Sequence, residues 1–352
     1  MTLLTDRYPA LFATLPYLQL AELPTPLDDA DRMASELGIR RLWIKRDDVC
    51  AQPYGGNKVR KLEHLLADAL QKGCDAVLTY GAAGSNHALA TSIYAHRVGV
   101  DCYAVMTPQA STPKVADTLR YHALLGTKMV AAKGFQETVT ARDAVMANHP
   151  TGGSKIYDIW WGGSSWVGAT GFVNAALEIG EQLARDPPDY LYVAAGTQGT
   201  AAGLALGLRL LGWQTQVVGV RVVPMPTRLP AAYDRLFRET GQELHALDGN
   251  FPIVDEPFAN FELRDEFLGD GYAIPTDGTT EAVEMAQKLA SIGLETTYTG
   301  KAMDALVQDA RSGRLADSSV VFWLTYNSHP YPPEIADYGV NDVPAEFRSH
   351  FE

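Results

Sequence analysis

Between residues 42 and 223, and again at 320–326, short β-branched runs alternate with amphipathic stretches of helical length. LWIK (42–45), AVLTYG (76–81), CYAVM (102–106), KMVAA (128–132), KIYDIW (155–160), YLYVAAG (190–196), VVGVRVV (217–223) and VVFWLTY (320–326) read as strands. Between them the apolar positions recur at helical spacing, as in Val59, Leu62, Leu65, Leu66, Ala69 and Leu70 after Lys58. Another helix is expected from Asn86 to about Val98, and an Ala/Leu-rich one over 200–212. Strand, helix, strand at these lengths means parallel βαβ units, so the fold class is α/β: open, mostly parallel twisted sheets with helices on both faces. Two blocks are expected, roughly 58–160 and 165–350, hinged at Gly162-Gly163-Ser164-Ser165. The stretch 224–278, rich in Pro, Asp, Gly and Phe, gives no clear pattern.

Several classes of function are disfavoured. A net charge of −13 without a lysine or arginine run repels a nucleic-acid backbone. No stretch approaches the roughly 20 apolar residues of a membrane span. The N-terminus is broken by Asp6, Arg7, Pro9 and Pro16, unlike a signal peptide, so a cytoplasmic protein is expected. Cys50, Cys74 and Cys102 have neither a zinc spacing nor an even count, so no metal site and no disulfide framework is expected.

In open parallel sheets ligands bind where strands lead into helices. Three such junctions are unusual. In Gly196-Thr197-Gln198-Gly199-Thr200 the glycines permit a tight turn, and free N–H groups, the helix dipole and two threonine hydroxyls favour a phosphate. The same glycines also suit a plain strand-to-helix turn. The spacing is not GxGxxG, and the next strand ends Val220-Arg221-Val222-Val223 without an acidic ribose partner, which argues against a dinucleotide. At GAAGSNHALATS (81–92), Ser85 or Asn86 either caps the following helix or holds an anion, and His87 is ambiguous by itself. At YGGNKVRKLEHLL (54–66), Lys58 opens a helix, where the dipole slightly favours its neutral form, as a Schiff-base lysine requires, although most lysines near a helix start are merely solvated. Arg60 and Lys61 add positive charge within a turn.

Taken together, and in this order, these pieces resemble the fold type II, tryptophan-synthase-β-like enzymes that use pyridoxal 5'-phosphate (PLP). More narrowly they resemble the D-cysteine desulfhydrase and 1-aminocyclopropane-1-carboxylate (ACC) deaminase family. The likeness runs through TPLDDADRMASELG (25–38), WIKRDDV (43–49), GGNKVRKLE (55–63), Ser85-Asn86-His87, GGSSWVGATGFVNAALEI (162–179), AAGTQGTAAGLALGL (194–208), IPTDGTTEAV (274–283) and YTGKAM (298–303).

The resemblance implies a large PLP-binding domain, 1–57 plus 165–352, a small α/β domain, 58–164, and the cofactor in the cleft between them. It implies that Lys58 bonds the cofactor and moves the α-proton, with Ser85 and Tyr298 beside it as catalytic residues. Lys61, Gly196, Thr197, Gln198, Gly199 and Thr200 would hold the phosphate, Asn86 the phenolic oxygen, and Thr325 the pyridine nitrogen. Ser85, Asn86, His87, Trp161, Tyr298 and Tyr326 would face an amino-acid substrate. A neutral hydroxyl at the ring nitrogen weakens the electron sink and suits prompt loss of a β leaving group. Tyr298-Thr299, where ACC deaminases resemble Tyr-Glu, points the same way. The expected function is therefore a D-cysteine desulfhydrase-like β-eliminating lyase giving a 2-oxo acid and ammonia. ACC ring opening, a larger sulfur-bearing substrate and a non-catalytic PLP-binding protein are the alternatives. Homodimers are common among similar proteins, and nothing in the sequence itself demonstrates one.

Three positions depart from the family pattern. Gly84 stands where glutamine is usual, Trp160-Trp161 precede the GGS turn, and Tyr326-Asn327-Ser328-His329-Pro330 replaces a Gly-Gly turn after Thr325. All three are expected on the substrate side, where loss of the amide at 84 and added aromatics suit a larger amino acid.

Overall fold

A computed structural model describes residues 2–150, 154–184, 186–224 and 229–352. Its strands are β1 (Leu27–Asp29), β2 (Arg41–Arg46), β3 (Ala76–Ala82), β4 (Asp101–Thr107), β5 (Lys128–Ala131), β6 (Ile156–Ile159), β7 (Tyr190–Ala195), β8 (Gln216–Arg221), β9 (Phe261–Arg264) and β10 (Ser319–Leu324). They form a six-stranded sheet of order β1-β2-β10-β7-β8-β9 and a four-stranded sheet of order β5-β4-β3-β6. Every pairing is parallel except β1 with β2. The α/β class expected from the alternation is the one observed.

The helices are α1 (Leu3–Arg7), α2 (Leu11–Thr14), α3 (Asp31–Leu37), α4 (Lys58–Gln71), α5 (Asn86–Arg97), α6 (Pro113–Leu124), α7 (Phe135–Asn148), α8 (Trp166–Gln182), α9 (Gly199–Leu210), α10 (Leu229–Leu247), α11 (Asp277–Ala290) and α12 (Thr299–Arg311). On one face of the larger sheet, α1, α2, α8, α9 and α10 bury a core around Phe172, Leu204, Phe237 and Trp323. On the other, α3, α11 and α12 bury Met33, Ala282, Met303 and Phe322. Helices α8 and α9 cross at Gly203, where a Cβ would stand 2.3 Å from the carbonyl oxygen of Ala169, so only glycine fits. In α4 most of the predicted stripe is buried: Val59, Leu62, Leu65, Leu66 and Ala69 are at most 2 % exposed, whereas Leu70, expected in it, is 41 % exposed at the helix's last turn.

Two ends of the chain lie against the smaller sheet. Leu20, Ala21 and Tyr54 pack with α4 and α5, and Val343 and Phe347 pack on Ala83, Met106, Val115 and Leu119. Strand β10 stops at Leu324, so Thr325 and Tyr326, expected inside it, lie past its end. The reason is local: the Thr325 carbonyl accepts the Asn57 N–H at 3.0 Å, and the chain turns away from its neighbouring strands. Within the stretch that gave no clear pattern lie α10 and β9, with 225–228 outside the described residues. No helix among the described residues is long and apolar enough to cross a membrane, and none of their His, Cys, Asp and Glu side chains form a metal-binding group.

Candidate active site

Lys58, at the start of α4, is positioned by a loop tied on both sides. The Gly55 N–H donates to Asn327 Oδ1 at 2.7 Å, the Gly56 N–H to the Asp47 carbonyl at 2.7 Å, and the Asn57 N–H to the Thr325 carbonyl. Gly56 has φ +96°, and a Cβ there would lie 2.9 Å from the Thr325 oxygen, so glycine answers both backbone and space. Lys58 is half-buried, and burial without an offsetting acidic partner brings its pKa down to about 8. An appreciable share of the amine is therefore neutral near neutral pH.

Arg60 is engaged elsewhere. Its guanidinium bonds both oxygens of Asp47 and both of Glu178, at 2.8–3.0 Å. Lys45 reaches Glu178 at 2.5 Å, and the Trp323 indole donates to Asp47 at 2.7 Å. Two cations and two carboxylates neutralise one another inside the protein, anchoring α4 two residues beyond Lys58. The positive charge expected at the site from Arg60 is thus consumed structurally.

Lys61 does face the glycine-rich turn. Its Nζ donates to the Gly162 carbonyl at 3.0 Å and to Ser164 Oγ at 3.3 Å. The Gly199 N–H, at the start of α9, donates to the same Ser164 oxygen at 3.2 Å, and Ser164 Oγ lies 2.6 Å from Thr197 Oγ1. Lys61 and a helix N-terminus converge here on one oxygen, the donor set that a phosphate oxygen requires. A Cβ on Gly199 would stand 2.9 Å from Lys61 Nζ, and one on Gly162 would lie 2.2 Å from Thr197 Oγ1. Asn57 Nδ2 donates to Thr200 Oγ1 at 3.1 Å, freeing the threonine proton. Gln198 has φ +69° and its buried Oε1 has no partner. Gly196 closes the turn by accepting Gln198 Nε2 at 3.2 Å.

His87 borders the same place. A Cβ on Gly163 would meet His87 Cε1 at 3.2 Å and Lys61 Cδ at 3.5 Å. The imidazole is 4 % exposed and neither nitrogen has a partner. Burial first, then the charges of Lys58 and Lys61, hold its pKa well below the usual histidine range. A neutral ring with an unspent N–H beside Lys61 fits an anion.

At the start of α5, Ser85 Oγ accepts the Ala88 N–H at 3.3 Å, the helix cap weighed from sequence, while its own proton stays free. Tyr54 donates to Asn86 Oδ1 at 3.1 Å, which leaves Asn86 Nδ2 as an unspent donor. Gly84 is not bare: the Gln109 side chain lies against it, and Gln109 Oε1 accepts the Gly84 N–H at 3.0 Å.

Tyr298 precedes α12, where Glu295 accepts the N–H groups of Thr297, Tyr298 and Thr299 at 2.7–2.8 Å. Its hydroxyl bonds that of Tyr272. Burial lifts Tyr272 to about 12 and Tyr298 well above the normal phenol value, so both stay protonated at neutral pH. The Thr325 hydroxyl has no protein partner among the described residues, and Tyr326 is half-buried with Lys114 Nζ 5.8 Å from its ring centroid. Trp161, expected at the substrate, stacks on Tyr80 with ring centroids 6.0 Å apart, and its buried indole N–H has no partner among the described residues. Sequence reasoning missed Tyr54, Ser164, Gln109, Tyr272 and Glu295. Tyr54 adjoins the lysine motif and was visible there, and Glu295 acts locally on the residues just after it; the others depend on contacts between distant segments.

The family model for pyridoxal-phosphate dependent enzymes matches residues 18–325. A D-cysteine desulfhydrase of Salmonella choleraesuis (strain SC-B67) is 34% identical over 320 residues, covering 90% of this chain and 94% of that protein. Among solved structures, an ACC deaminase homologue superposes with TM-score 0.79 at 30% identity, covering 91% of this chain and 94% of that one. Threonine deaminase isoform 2 from Solanum lycopersicum, at TM-score 0.62 and 18% identity over 95% and 87% of the two chains, shares the fold.

Proposed function

Since the chain belongs to the pyridoxal-phosphate dependent enzymes, we propose that it is a lyase acting on D-cysteine or a close analogue, with Lys58 as its cofactor-bonding residue. The observation that carries this reading is Lys58 itself: a half-buried amine with its pKa brought down to about 8, beside donors that fit a phosphate.

The cradle fits the cofactor. Lys61, Thr197, Gly199 and Thr200 would bind its phosphate, with Gly196 and Gln198 shaping the turn. The unpartnered ring of His87, bordering Lys61 across Gly163, supports placing it with the phosphate rather than the substrate. Asn86 Nδ2 would reach the phenolic oxygen, and the Thr325 hydroxyl the ring nitrogen. Pyridoxal phosphate, when bound, supplies a carbonyl for the substrate amine and a ring that takes up charge from Cα.

The protein's part is to place and move protons. Lys58 Nζ, neutral in part at neutral pH, takes the proton from Cα. Ser85 holds the substrate carboxylate with its free hydroxyl proton. Tyr298, protonated and bonded to Tyr272, stands as a neutral donor at the departing group rather than as a base. The Cα–H and Cβ–S bonds break, sulfur leaves as sulfide, and water releases the remainder as a 2-oxo acid and ammonia. The division into a unit of 1–57 plus 165–352 and one of 58–164 belongs to this proposal. The packing of Val343 and Phe347 on the smaller sheet supports moving the C-terminal segment to the second unit.

The reading is tested by loading the protein with pyridoxal phosphate and measuring sulfide and pyruvate from D-cysteine. Equal release of both, abolished by Lys58→Ala, is expected. A loaded enzyme that yields neither from D-cysteine refutes the substrate assignment.

A further inference from the structure

Gly84 brings no side chain to the expected carboxylate site beside Ser85, and the parallel register explains what lies against it. Strands β3 and β4 pair so that Ala82 faces Thr107, and the Ala83 N–H donates to the Thr107 carbonyl at 3.0 Å. Two residues beyond each, Gly84 and Gln109 lie side by side. A Cβ on Gly84 would fall 3.1 Å from both terminal atoms of Gln109. Gln109 Oε1 is spent on the Gly84 N–H, which leaves Nε2, 3.1 Å from where a Gly84 Cβ would stand, as a donor without a partner among the described residues. The first N–H groups of a helix lack intrahelical acceptors, so Asn86 and His87 offer two more donors there.

We propose that Gln109 is a substrate-positioning residue: from the β4–α6 connection it supplies the amide that Gly84 lacks, and holds the α-carboxylate of the amino-acid substrate. The proposal rests on the lyase reading above. It also removes the argument for a larger substrate, because the room left by Gly84 is refilled.

A positional exchange provides the test. Gly84 lies outside the left-handed region, so its backbone accepts a side chain, and the nearest obstacles are the flexible tip of Gln109 and Val115 Cγ2 at 3.0 Å. The loaded wild type, Gln109→Ala, Gly84→Gln and the double variant are compared by D-cysteine kinetics. Thermal melting and the shift of the cofactor's visible band on titration with D-alanine and with cysteamine, which has no carboxylate, complete the comparison.

Loss of one hydrogen bond to a charged group predicts about a tenfold or larger rise in KM and in the D-alanine dissociation constant for Gln109→Ala. Melting and cysteamine binding should be unchanged. Gly84→Gln/Gln109→Ala should return to within about threefold of wild type, as expected if the amide rather than its chain position matters. Equal weakening for D-alanine and cysteamine, or a folded double variant no better than Gln109→Ala, overturns the proposal. A wild type that shifts its band with D-alanine but releases no sulfide from D-cysteine overturns the substrate reading alone, and the Gln109 comparison is then decided on the band shift.

Discussion

The hydroxyl of Tyr54 donates to Oδ1 of Asn86 at 3.1 Å and so decides which end of that amide meets the cleft. Tyr54 is 2 % exposed, with its ring beside Tyr331, just past Pro330. Tyr54→Phe keeps the ring and deletes the orienting bond. Pyridoxal phosphate should then bind about three- to tenfold more weakly with little change in melting, as read by fluorescence titration of the cofactor-free protein. Unaltered affinity would mean that Asn86 is oriented by something else.

The amine of Lys58 is protonated below about pH 8 and free above it. Only the free amine attacks a carbonyl, so the rate of cofactor capture should climb with pH and level off above about 8. Stopped-flow absorbance on cofactor-free protein measures this. A rate still rising steeply through pH 10, the range of an ordinary lysine, would contradict the buried, partner-free environment.

Asp47 is fully buried and accepts from Arg60, Trp323 and Thr25. Asp47→Asn leaves two cations facing one carboxylate away from water. Such a break costs about 3–5 kcal/mol, to be read from urea unfolding with the wild-type m-value retained. A loss below about 1 kcal/mol would show that Lys45 gives up its proton and relaxes the site.

His87 has two buried nitrogens without partners. Replacing an unsatisfied polar group by an apolar one of similar reach relieves a desolvation cost of about 1–3 kcal/mol. His87→Leu should therefore melt no lower than wild type without cofactor, yet bind pyridoxal phosphate at least tenfold more weakly. If the cofactor-free variant is strongly destabilised, the imidazole is structural.

The fold was legible because β-branched runs and helical stripes are local signals, and the stripe from Val59 to Ala69 was read residue by residue. The Lys58 loop and the Gly196–Thr200 turn stood out because glycines beside charged or hydroxyl residues at a strand exit are a local signal, although a plain turn would use the same glycines. Arg60 misled: adjacency to Lys58 suggested a shared site, but a helix turns about 100° per residue, and Asp47 and Glu178 lie on the other side. The stack of Trp161 on Tyr80 was not legible, because it joins a loop to a strand distant in sequence. Gln109 was invisible, because placing it beside Gly84 requires the register of β3 with β4. Tyr272 was hidden in a stretch whose pattern turns and short helices obscure.

The place of β10 has a consequence for how the molecule comes into being. β10 lies between β2 and β7, although it leaves the ribosome long after both. Until it arrives, the β1–β2 pair has no strand linking it to β7, and Trp323 is not there to meet Asp47. The Thr325 carbonyl that fixes Asn57 follows immediately, so the loop carrying Lys58 sets only as the central strand is inserted. Competence to take up cofactor is thus tied to completion of the larger sheet, and a nascent or truncated chain lacking β10 would display the lysine without the geometry that makes it reactive.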